Sequence, residues 1–390
     1  MRVLLTTTPG SGHVGPVLPF ATALRRARHE VIVAVRRSGA EAIHRLGLPM
    51  WALDDPPPGP REAVFEQVRD LHEDDANRRV VADVFARIDA RAAMYGVLDA
   101  CEAYRPDIIL SEQCEFAGPL AAERVGIPWA RVGVGIAATE SIVLGQLAAA
   151  IDELRGEMGL RRDPHARRLR DAPLLTLTPP CLEDPVSVGS PHTFRFRALH
   201  ARTGALPDWW PGDDRPLVYV TYGSVAPRMG AFPDAYRAAI DALASHDVRV
   251  LVTVGRDRDP ADLGPVPANV RVEQWVPQAD VLPHAAAVVC HGGHGTVLGA
   301  LAAGVPLVVL PMFADQPYNA RRVERLGAGI ALEGGREAFA HIGTAVERVL
   351  SERVYRAGAA LVASDTRRMP PVDEAPGVLE RLVGRQRMAA

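Results

Sequence analysis

Short apolar runs alternate with helical patterns along the chain, and the alternation occurs in two separate series. The first series predicts strands over residues 3–8, 31–35, 107–110 and 129–134. The second predicts strands over residues 217–222, 248–254, 270–274, 286–290 and 307–310. Strands that alternate with helices form parallel sheets covered by helices on both faces. The pattern therefore predicts an α/β protein with two such sheets.

A segment dense in turn-forming residues separates the two series. Residues 204–216 read Gly-Ala-Leu-Pro-Asp-Trp-Trp-Pro-Gly-Asp-Asp-Arg-Pro, a composition typical of a connection rather than of a helix or strand. A chain of 390 residues is also long enough for two domains. We therefore predict a first domain over 1–204, a linker over 205–216, a second domain over 217–373 and a final helix over 374–390.

Charge and cysteine content exclude several classes of protein. The 44 basic and 47 acidic residues give a net charge of −3, which offers no electrostatic argument for nucleic-acid binding. The four cysteines are scattered without Cys-x-x-Cys spacing, which argues against a zinc or disulfide scaffold and fits a reducing compartment. No apolar run approaches about 18 residues, and the amino terminus leads directly into a strand. We expect a cytoplasmic protein without a membrane partner.

The most informative segment, residues 289–296, reads Val-Cys-His-Gly-Gly-His-Gly-Thr and joins a predicted strand to a predicted helix. Gly292 and Gly293 permit a tight turn, and the first N–H groups of the helix attract an anion such as a diphosphate. His291 adds a hydrogen-bond donor. Trp275 precedes this turn, and a polar pair, Asp315-Gln316, follows it. An aromatic platform, a phosphate turn and polar sugar ligands together indicate a nucleotide-sugar site, the alternative being an ordinary strand-turn-helix.

A second glycine-rich turn follows the first strand. Gly10-x-Gly12-x-x-Gly15 matches the dinucleotide-binding fingerprint, although this match alone is weak. The second strand ends in Arg36-Arg37, which could suit the 2′-phosphate of NADP. An NADP-dependent oxidoreductase is therefore a legitimate alternative. Two observations count against it: His13 stands where the backbone must approach a pyrophosphate, and the second half of the chain supplies a separate nucleotide site.

These motifs together resemble the GT-B fold glycosyltransferases of bacterial natural-product biosynthesis, the family of the erythromycin- and calicheamicin-type sugar transferases. The resemblance rests on Trp-Val-Pro-Gln at 275–278, His-Gly-Gly-His-Gly-Thr at 291–296, Ala-Gly-Val-Pro at 303–306 and Ala-Asp-Gln-Pro-Tyr-Asn-Ala at 314–320. It implies two facing Rossmann-like domains with parallel sheets and an interdomain cleft. It also implies that the last helix returns to the first domain.

The resemblance assigns the catalytic base to His13, within Gly12-His13-x-x-Pro16. A neutral imidazole has roughly the basicity that deprotonation of an acceptor hydroxyl requires, and a carboxylate partner would hold its tautomer. The family commonly supplies an aspartate after the strand at 107–110, whereas this chain has Glu112, with Glu115 close behind. We assign the partner role to Glu112 and place Ser11 and Gly12 on the acceptor side of the site.

The resemblance also assigns the donor site. Trp275 would stack on the nucleobase, the backbone of Val276 would read the base edge, and Gln278 would contact the ribose. Asp315 and Gln316 would bind sugar hydroxyls. The residues expected to hold the diphosphate are Gly223, Ser224, His291, Gly293, His294, Gly295 and Thr296. No Asp-x-Asp motif lies near this loop, so we expect no metal and no cofactor beyond the nucleotide-sugar co-substrate.

One departure from the family pattern bears on the donor. Members that use UDP-glucose carry a glutamate that grips both ribose hydroxyls, and this chain has Gly299 at that position. Since a 2′-deoxyribose lacks one of these hydroxyls, the departure favours a dTDP-sugar. We therefore expect an inverting transferase that moves a hexose or deoxyhexose to a hydroxyl of a small hydrophobic secondary metabolite.

Several points stay open at this stage. A sugar-nucleotide epimerase would share the fold but would not need His13, and a non-catalytic helper would normally lack this base. The acceptor surface is expected in the two least similar segments, 54–95 and 139–172. A homodimer, the identity of the sugar and that of the acceptor are likewise left open.

Overall fold

The computed structural model describes residues 1–69, 71, 73–185, 189–198, 204 and 206–389. The chain forms two compact units. The first comprises Met1–Thr178, Asp184–Ala198 and Met369–Ala390, and the second comprises Pro179–Glu183 and Leu199–Arg368. Ala205, where the predicted linker begins, lies outside the described residues.

The first unit is built on a seven-stranded sheet in which the strands pair in parallel in the order β3-β2-β1-β4-β5-β6-β7. Its central strands are almost fully buried because helices cover both faces. The strand order reverses between β1 and β4, so the segments that follow these two strands lie next to each other. The strands are β1 (Arg2–Thr6), β2 (Glu30–Arg36), β3 (Met50–Leu53), β4 (Ile108–Glu112), β5 (Trp129–Val132), β6 (Leu174–Thr176) and β7 (Thr193–Arg195).

Helices cover the two faces of this sheet as two distinct layers. One layer includes α5, α6 and α7, and the other includes α1 and the final helix of the chain. A π-helical segment, Val80–Asp89, leads directly into α5. The helices of the first half are α1 (Ser11–Arg26), α2 (Ala40–Arg45), α3 (Pro60–Val68), α4 (Glu73–Arg79), α5 (Ala90–Tyr104), α6 (Ala117–Val125), α7 (Ala137–Glu157) and α8 (Arg167–Asp171).

The second unit repeats the architecture with six strands, paired in parallel in the order β10-β9-β8-β11-β12-β13. Here the order reverses between β8 and β11. The strands are β8 (Leu217–Thr221), β9 (Arg249–Thr253), β10 (Val270–Glu273), β11 (Ala285–Cys290), β12 (Leu307–Val309) and β13 (Gly329–Ala331). The helices are α9 (Asp234–Leu243), α10 (Gln278–Val281), α11 (His294–Ala302), α12 (Gln316–Arg325), α13 (Ile342–Ser351) and α14 (Arg353–Arg368).

The final helix, α15 (Ala375–Ala389), belongs to the first unit. Its apolar side chains join the core formed by β1, β2, β4 and α1, together with Val372 just before the helix; the contributing residues of α15 are Ala375, Val378, Leu379 and Val383. Polar contacts fix its outer end, since Arg387 forms an ion pair with Asp107 and Gln386 donates to the carbonyl of Gly126.

The predicted fold class, an α/β protein with two parallel sheets, is confirmed. The glycine-rich turn that follows β1 is helical from Ser11 onward, because α1 begins at this residue. The glycine-rich turn is therefore the first helical turn and carries His13. The sequence did not predict four short strands, which are β3, β6, β7 and β13. No helix in the described part of the chain has the length and apolar surface needed to cross a membrane.

Candidate active site

The candidate base site lies at the strand-order reversal of the first sheet. His13 follows β1 in the first turn of α1, and Glu112 is the last residue of β4. Since β1 and β4 are paired neighbours, their carboxyl ends bring the two side chains together. Such reversals are where α/β sheets ordinarily bind ligands. Ser11 and Gly12 lie beside His13 in the same turn and are exposed.

The imidazole of His13 faces the carboxylate of Glu112. Nδ1 of His13 lies 3.1 Å from Oε1 of Glu112. The His13 side chain is 26% exposed, whereas the Glu112 side chain is fully buried. A carboxylate at Nδ1 favours the tautomer that carries its proton on Nδ1, which leaves the lone pair of Nε2 free to accept a proton. The arrangement is that of a general base with an orienting partner.

Two hydrogen-bond donors besides His13 converge on Glu112 and keep its carboxylate in place. Oε1 accepts a hydrogen bond from the backbone N–H of Cys114 at 2.7 Å, and Oε2 accepts one from the hydroxyl of Thr8 at 3.1 Å. Burial alone would raise the pKa of Glu112, but His13 and these donors lower it below its ordinary value. Glu112 is therefore anionic at neutral pH despite its burial.

The second carboxylate of this segment, Glu115, has a different task. Its oxygens accept hydrogen bonds from the backbone N–H groups of Ala117 and Gly118 and from the hydroxyl of Thr6. Burial raises the pKa of Glu115 above its ordinary value. Glu115 thus caps the start of α6, and the two glutamates that the sequence placed side by side have separate roles.

The π-helical segment supplies a wall beside the base. Phe85 contacts the imidazole of His13 edge-on, with ring centroids 5.7 Å apart. π-helical turns are rare and occur frequently at functional sites. Arg87 of the same segment forms an ion pair with Glu153 of α7, so the segments 54–95 and 139–172 pack against each other. Within the first of them, Asp70 and His72 lie outside the described residues.

The two arginines that could have bound a 2′-phosphate are engaged elsewhere. Arg36 is buried, and its guanidinium lies 2.6 Å from the carboxylate of Asp89, which also pairs with Arg61. Burial lowers the pKa of Arg36 and raises that of Asp89. Arg37 pairs with Asp54 on the surface. This pairing removes the cationic argument for an NADP-dependent oxidoreductase.

The candidate phosphate site repeats the same construction in the second sheet. Gly223 follows β8 and His291 follows β11, and these strands are paired neighbours at the strand-order reversal. The imidazole of His291 packs against two glycines. A Cβ at Gly223 would lie 2.8 Å from Nε2 of His291, and a Cβ at Gly293 would lie 2.5 Å from the same atom. These two glycines therefore make room for the imidazole.

The imidazole of His291 is neutral rather than cationic at neutral pH. Burial lowers its pKa to about 4, and its Nδ1 is buried without a hydrogen-bond partner. Burial likewise lowers the pKa of His294, the first residue of α11, to about 4. At neutral pH, positive potential at this turn comes from the start of α11, where the first N–H groups lack intrahelical acceptors.

Other predicted donor residues surround the start of α11. Gln278 donates from Nε2 to the hydroxyl of Thr296 at 3.3 Å, so the expected ribose and phosphate ligands are in contact. Gly295 is exposed in the first turn of α11, and Ser224 is exposed directly after Gly223. The start of α11 thus presents backbone donors and a polar side-chain pair on one surface.

Trp275 follows the carboxyl end of β10 and remains 48% exposed. The guanidinium of Arg256 lies over its indole, with Cζ 3.7 Å from the ring centroid. Gln274 fixes the loop of Arg256, because its Nε2 donates to the carbonyls of Arg256 and Arg258 at 3.0 and 3.2 Å. Val276, next in sequence, is half-buried. The contact of Arg256 with Trp275 was not predicted from the sequence, because no motif links the two residues.

The polar pair at the start of α12 is partly committed to the protein itself. Asp315 accepts a hydrogen bond from the side chain of Asn319 at 2.7 Å, and Asn319 also donates to the carbonyl of Gly292. Oε1 of Gln316 accepts from the backbone N–H groups of Met312 and Phe313. Gln316 is buried, so its Nε2 is the atom left to donate to a ligand. These contacts tie the pair to the phosphate turn.

Comparison with known proteins finds similar domains for both units in one protein family. Two family models match the chain: the erythromycin biosynthesis protein CIII-like N-terminal domain over residues 22–211 and the corresponding C-terminal domain over residues 237–382. The chain is 33% identical to 4′-demethylrebeccamycin synthase of Lentzea aerocolonigenes over 98% of this chain and 99% of that protein.

Two solved structures have the same fold over the whole chain. The glycosyltransferase SnogD from Streptomyces nogalater is 30% identical, with a TM-score of 0.79 over 98% of this chain and 99% of that one. The glycosyltransferase VinC, solved in complex with dTDP, is 25% identical, with a TM-score of 0.74 over 99% of this chain and 100% of that one. The two units described above therefore match glycosyltransferases along their full length.

Proposed function

The chain belongs to the erythromycin biosynthesis protein CIII-like family and is a glycosyltransferase with the GT-B fold, and from this premise we propose that it transfers a hexose or deoxyhexose from dTDP to a hydroxyl of a small hydrophobic acceptor. His13 acts as the general base of this transfer. The reaction inverts the configuration at the anomeric carbon. It uses no metal and no cofactor apart from the nucleotide sugar.

The observation that carries the proposal is the pairing of a partly exposed imidazole with a buried carboxylate. The 3.1 Å separation of Nδ1 of His13 from Oε1 of Glu112 keeps Nε2 available as the proton acceptor. The acceptor hydroxyl gives its proton to Nε2 while its oxygen forms the new bond to the anomeric carbon. The bond from that carbon to the diphosphate breaks with its electron pair, so the nucleoside diphosphate leaves as an anion. General-base catalysis of this kind typically contributes about 100- to 10,000-fold.

The phosphate turn stabilises the leaving group through neutral donors. The N–H groups at the start of α11, from Gly293 to Gly295, point toward an anion along the helix dipole, while the N–H of Thr296 donates to the carbonyl of Gly293. His291 is neutral because burial lowers its pKa to about 4, so it donates a hydrogen bond without adding charge. Fixed donors placed where charge develops are effective because they need no reorganisation during the reaction. Gly223 and Ser224 complete the diphosphate site.

The nucleobase stacks on Trp275, whose indole is exposed and held by Arg256. The backbone of Val276 reads the base edge, and Gln278, bonded to Thr296, contacts the ribose. Two arguments support dTDP as the nucleotide. Gly299 offers no carboxylate for a second ribose hydroxyl, and the similar glycosyltransferase VinC was solved with dTDP.

The remaining polar groups bind the sugar, and the remaining apolar groups bind the acceptor. Asp315 and the amide nitrogen of Gln316 bind sugar hydroxyls. The acceptor lies against Phe85 and the segments 54–95 and 139–172, which gives an apolar wall beside the base. Ser11 and Gly12 border this acceptor side. One displacement at an α-linked donor yields a β-linked product.

A thermal-shift comparison separates this proposal from the oxidoreductase alternative. A ligand present at 100 times its Kd stabilises the native state by about 2.7 kcal/mol. We expect dTDP at millimolar concentration to raise the Tm and NADPH to leave it unchanged. The opposite pattern would overturn the proposal.

Product analysis tests the transfer itself. A panel of hydroxylated hydrophobic aglycones is incubated with an α-linked dTDP-deoxyhexose, and the anomeric proton coupling of any glycoside is read by NMR. We expect a β-linked glycoside. An α-linked product would exclude single displacement while leaving the transferase assignment intact.

A further inference from the structure

Three side chains beside the candidate base form a set of metal ligands. A ring nitrogen of His13, a carboxylate oxygen of Glu112 and Sγ of Cys114 lie within 4.8 Å of one another. These atoms come from α1, from the end of β4 and from the turn that follows it. Imidazole nitrogen, carboxylate oxygen and thiolate sulfur are the ligands that proteins use for Zn²⁺. We propose that His13, Glu112 and Cys114 bind Zn²⁺, or another thiophilic divalent cation, and that the bound ion blocks the general base.

The distances suit a tetrahedral ion. Nδ1 of His13 and Oε1 of Glu112 are 3.1 Å apart, and two ligands of a tetrahedral zinc ion with bonds of roughly 2.1 Å lie about 3.4 Å apart. The pair therefore needs to open only slightly. Cys114, half-buried, closes the third side. Zinc sites with three protein ligands commonly keep a water molecule as the fourth ligand.

The surroundings of Glu112 favour the bound ion. Its carboxylate is fully buried, and Oε1 accepts a hydrogen bond from the backbone N–H of Cys114 at 2.7 Å, so Glu112 is held in a fixed position for an ion. The Thr8 hydroxyl, 3.1 Å from Oε2, orients this ligand as outer-shell donors do in metal sites. A thiolate ligand selects Zn²⁺ over Mg²⁺ and Ca²⁺, which prefer oxygen.

Coordination removes the base by moving its proton. In the metal-free dyad the proton resides on Nδ1 and the lone pair on Nε2. An ion can bind Nδ1 only when this nitrogen has a lone pair, so Nδ1 gives up its proton to solvent and Nε2 takes one up, which leaves the imidazole neutral with its proton on Nε2. Cys114 releases its thiol proton to solvent as it binds. The acceptor hydroxyl then finds an N–H donor where it needs an acceptor, and transfer stops.

Cobalt absorption tests the site without reference to activity. Co²⁺ occupies zinc sites, and a thiolate ligand gives it a ligand-to-metal charge-transfer band in the near ultraviolet. We expect wild-type protein to show this band with one Co²⁺ per chain and to lose it when Zn²⁺ is added. Cys114→Ser should lack the band, and His13→Ala should weaken Co²⁺ binding by tenfold or more.

The matched control is Cys181→Ser, since Cys181 is another half-buried cysteine and belongs to the second unit. It should keep the band. A band that persists in Cys114→Ser, or the lack of stoichiometric binding in the wild type, would overturn the metal site.

Inhibition tests the consequence and rests on the proposed function of His13. In a zinc-buffered transfer assay we expect at least tenfold inhibition of the wild type, reversed by EDTA, and no inhibition by Mg²⁺. Measured against its own zinc-free rate, Cys114→Ser should need at least tenfold more zinc, while Cys181→Ser should match the wild type. A Cys114-dependent cobalt band with a rate indifferent to zinc would keep the metal site but overturn the block and His13 as the base.

Discussion

Oε1 of Glu112 lies 3.1 Å from Nδ1 of His13, while Oε2 of the same carboxylate accepts a hydrogen bond from Thr8. One buried group thus holds the imidazole with one oxygen and anchors itself with the other. Glu112 is the last residue of a central strand and His13 lies in the first turn of a helix, so both partners belong to rigid elements. His13 and Glu112 can therefore be replaced one at a time, and each substitution tests one of the two roles.

The first prediction concerns this pair. His13→Ala should lower turnover by roughly 100- to 10,000-fold, because general-base catalysis contributes that much. Affinity for dTDP should stay within about twofold, since His13 faces the acceptor. Turnover is measured by product formation and affinity by calorimetric titration.

Two glutamate variants serve as partner and control. Glu112→Gln should lower turnover by at least tenfold, because a neutral amide no longer stabilises the imidazolium. Glu115→Gln changes an equally buried carboxylate that caps α6 instead, and its turnover should remain normal even if its stability falls. Near-normal turnover of His13→Ala would refute the mechanism.

The second prediction concerns the choice of nucleotide. Wild-type protein should bind dTDP at least as tightly as UDP, and Gly299→Glu should shift the ratio of the two affinities toward UDP by about tenfold, since a hydrogen bond to a charged group contributes about 1.5–3 kcal/mol. A Cβ at position 299 would lie 3.3 Å from Cδ1 of Leu282 and 3.8 Å from Oε1 of Gln278. The substitution therefore requires only a small shift of a flexible leucine and begins beside the residue assigned to the ribose.

Gly299→Ala separates the effect of bulk from that of charge. It introduces the same Cβ without a carboxylate, so it should leave the ratio of affinities unchanged. Calorimetric titration of both nucleotides measures the ratio. A wild-type preference for UDP would exclude the dTDP assignment and leave the transferase standing.

The third prediction concerns the arginine over the tryptophan. Arg256→Ala should weaken dTDP binding by roughly 2- to 30-fold, the range that corresponds to a cation–π contact of about 0.5–2 kcal/mol. Arg256→Lys keeps the charge but loses the planar group, so it should fall in between. Arg271→Ala is the control, because Arg271 is an exposed arginine on β10 that pairs with Glu273. Tighter binding in Arg256→Ala would mean that Arg256 masks the indole instead of holding it.

The fourth prediction concerns the pH dependence of stability. His291 and His294 have folded-state pKa values of about 4 against about 6.5 in the unfolded chain. Between these values the unfolded state binds more protons, so stability falls as the pH falls below 6.5. At pH 5 each histidine should cost about 2 kcal/mol relative to pH 7.

Urea unfolding of wild type and His294→Gln at pH 7 and pH 5 measures this cost. The variant should lose less stability between the two pH values, whatever its stability at pH 7. His165→Gln, which replaces an exposed histidine of the first unit, should lose as much as the wild type. Equal pH dependence in all three proteins would show that His294 is not buried in its neutral form.

The sequence predicted the central strands and the two glycine-rich turns, because apolar runs and glycine turns are local signals. It assigned the partner role to Glu112 rather than to Glu115 by resemblance alone. The structure shows which sequence pattern distinguishes the two glutamates. Ile108, Leu110 and Glu112 occupy every second position of β4, and the two apolar residues belong to the core layer of α1. The third position therefore points to the face that carries His13.

Other features had no local signal. The strands β6 and β7 have three residues each, too few for a periodic pattern. The π-helical segment Val80–Asp89 has apolar positions that an α-helix would also present. The contact of Arg256 with Trp275 joins two loops that are adjacent only because β9 pairs with β10. Tertiary structure alone determines such contacts.

The return of α15 to the first unit has a consequence for biosynthesis. A ribosome completes the entire second unit before it reaches Val372 and the residues that follow. Until then, the layer formed by α1 lacks the side chains that cover it in the finished protein. The nascent first unit therefore exposes part of its apolar core while the second unit is being synthesised.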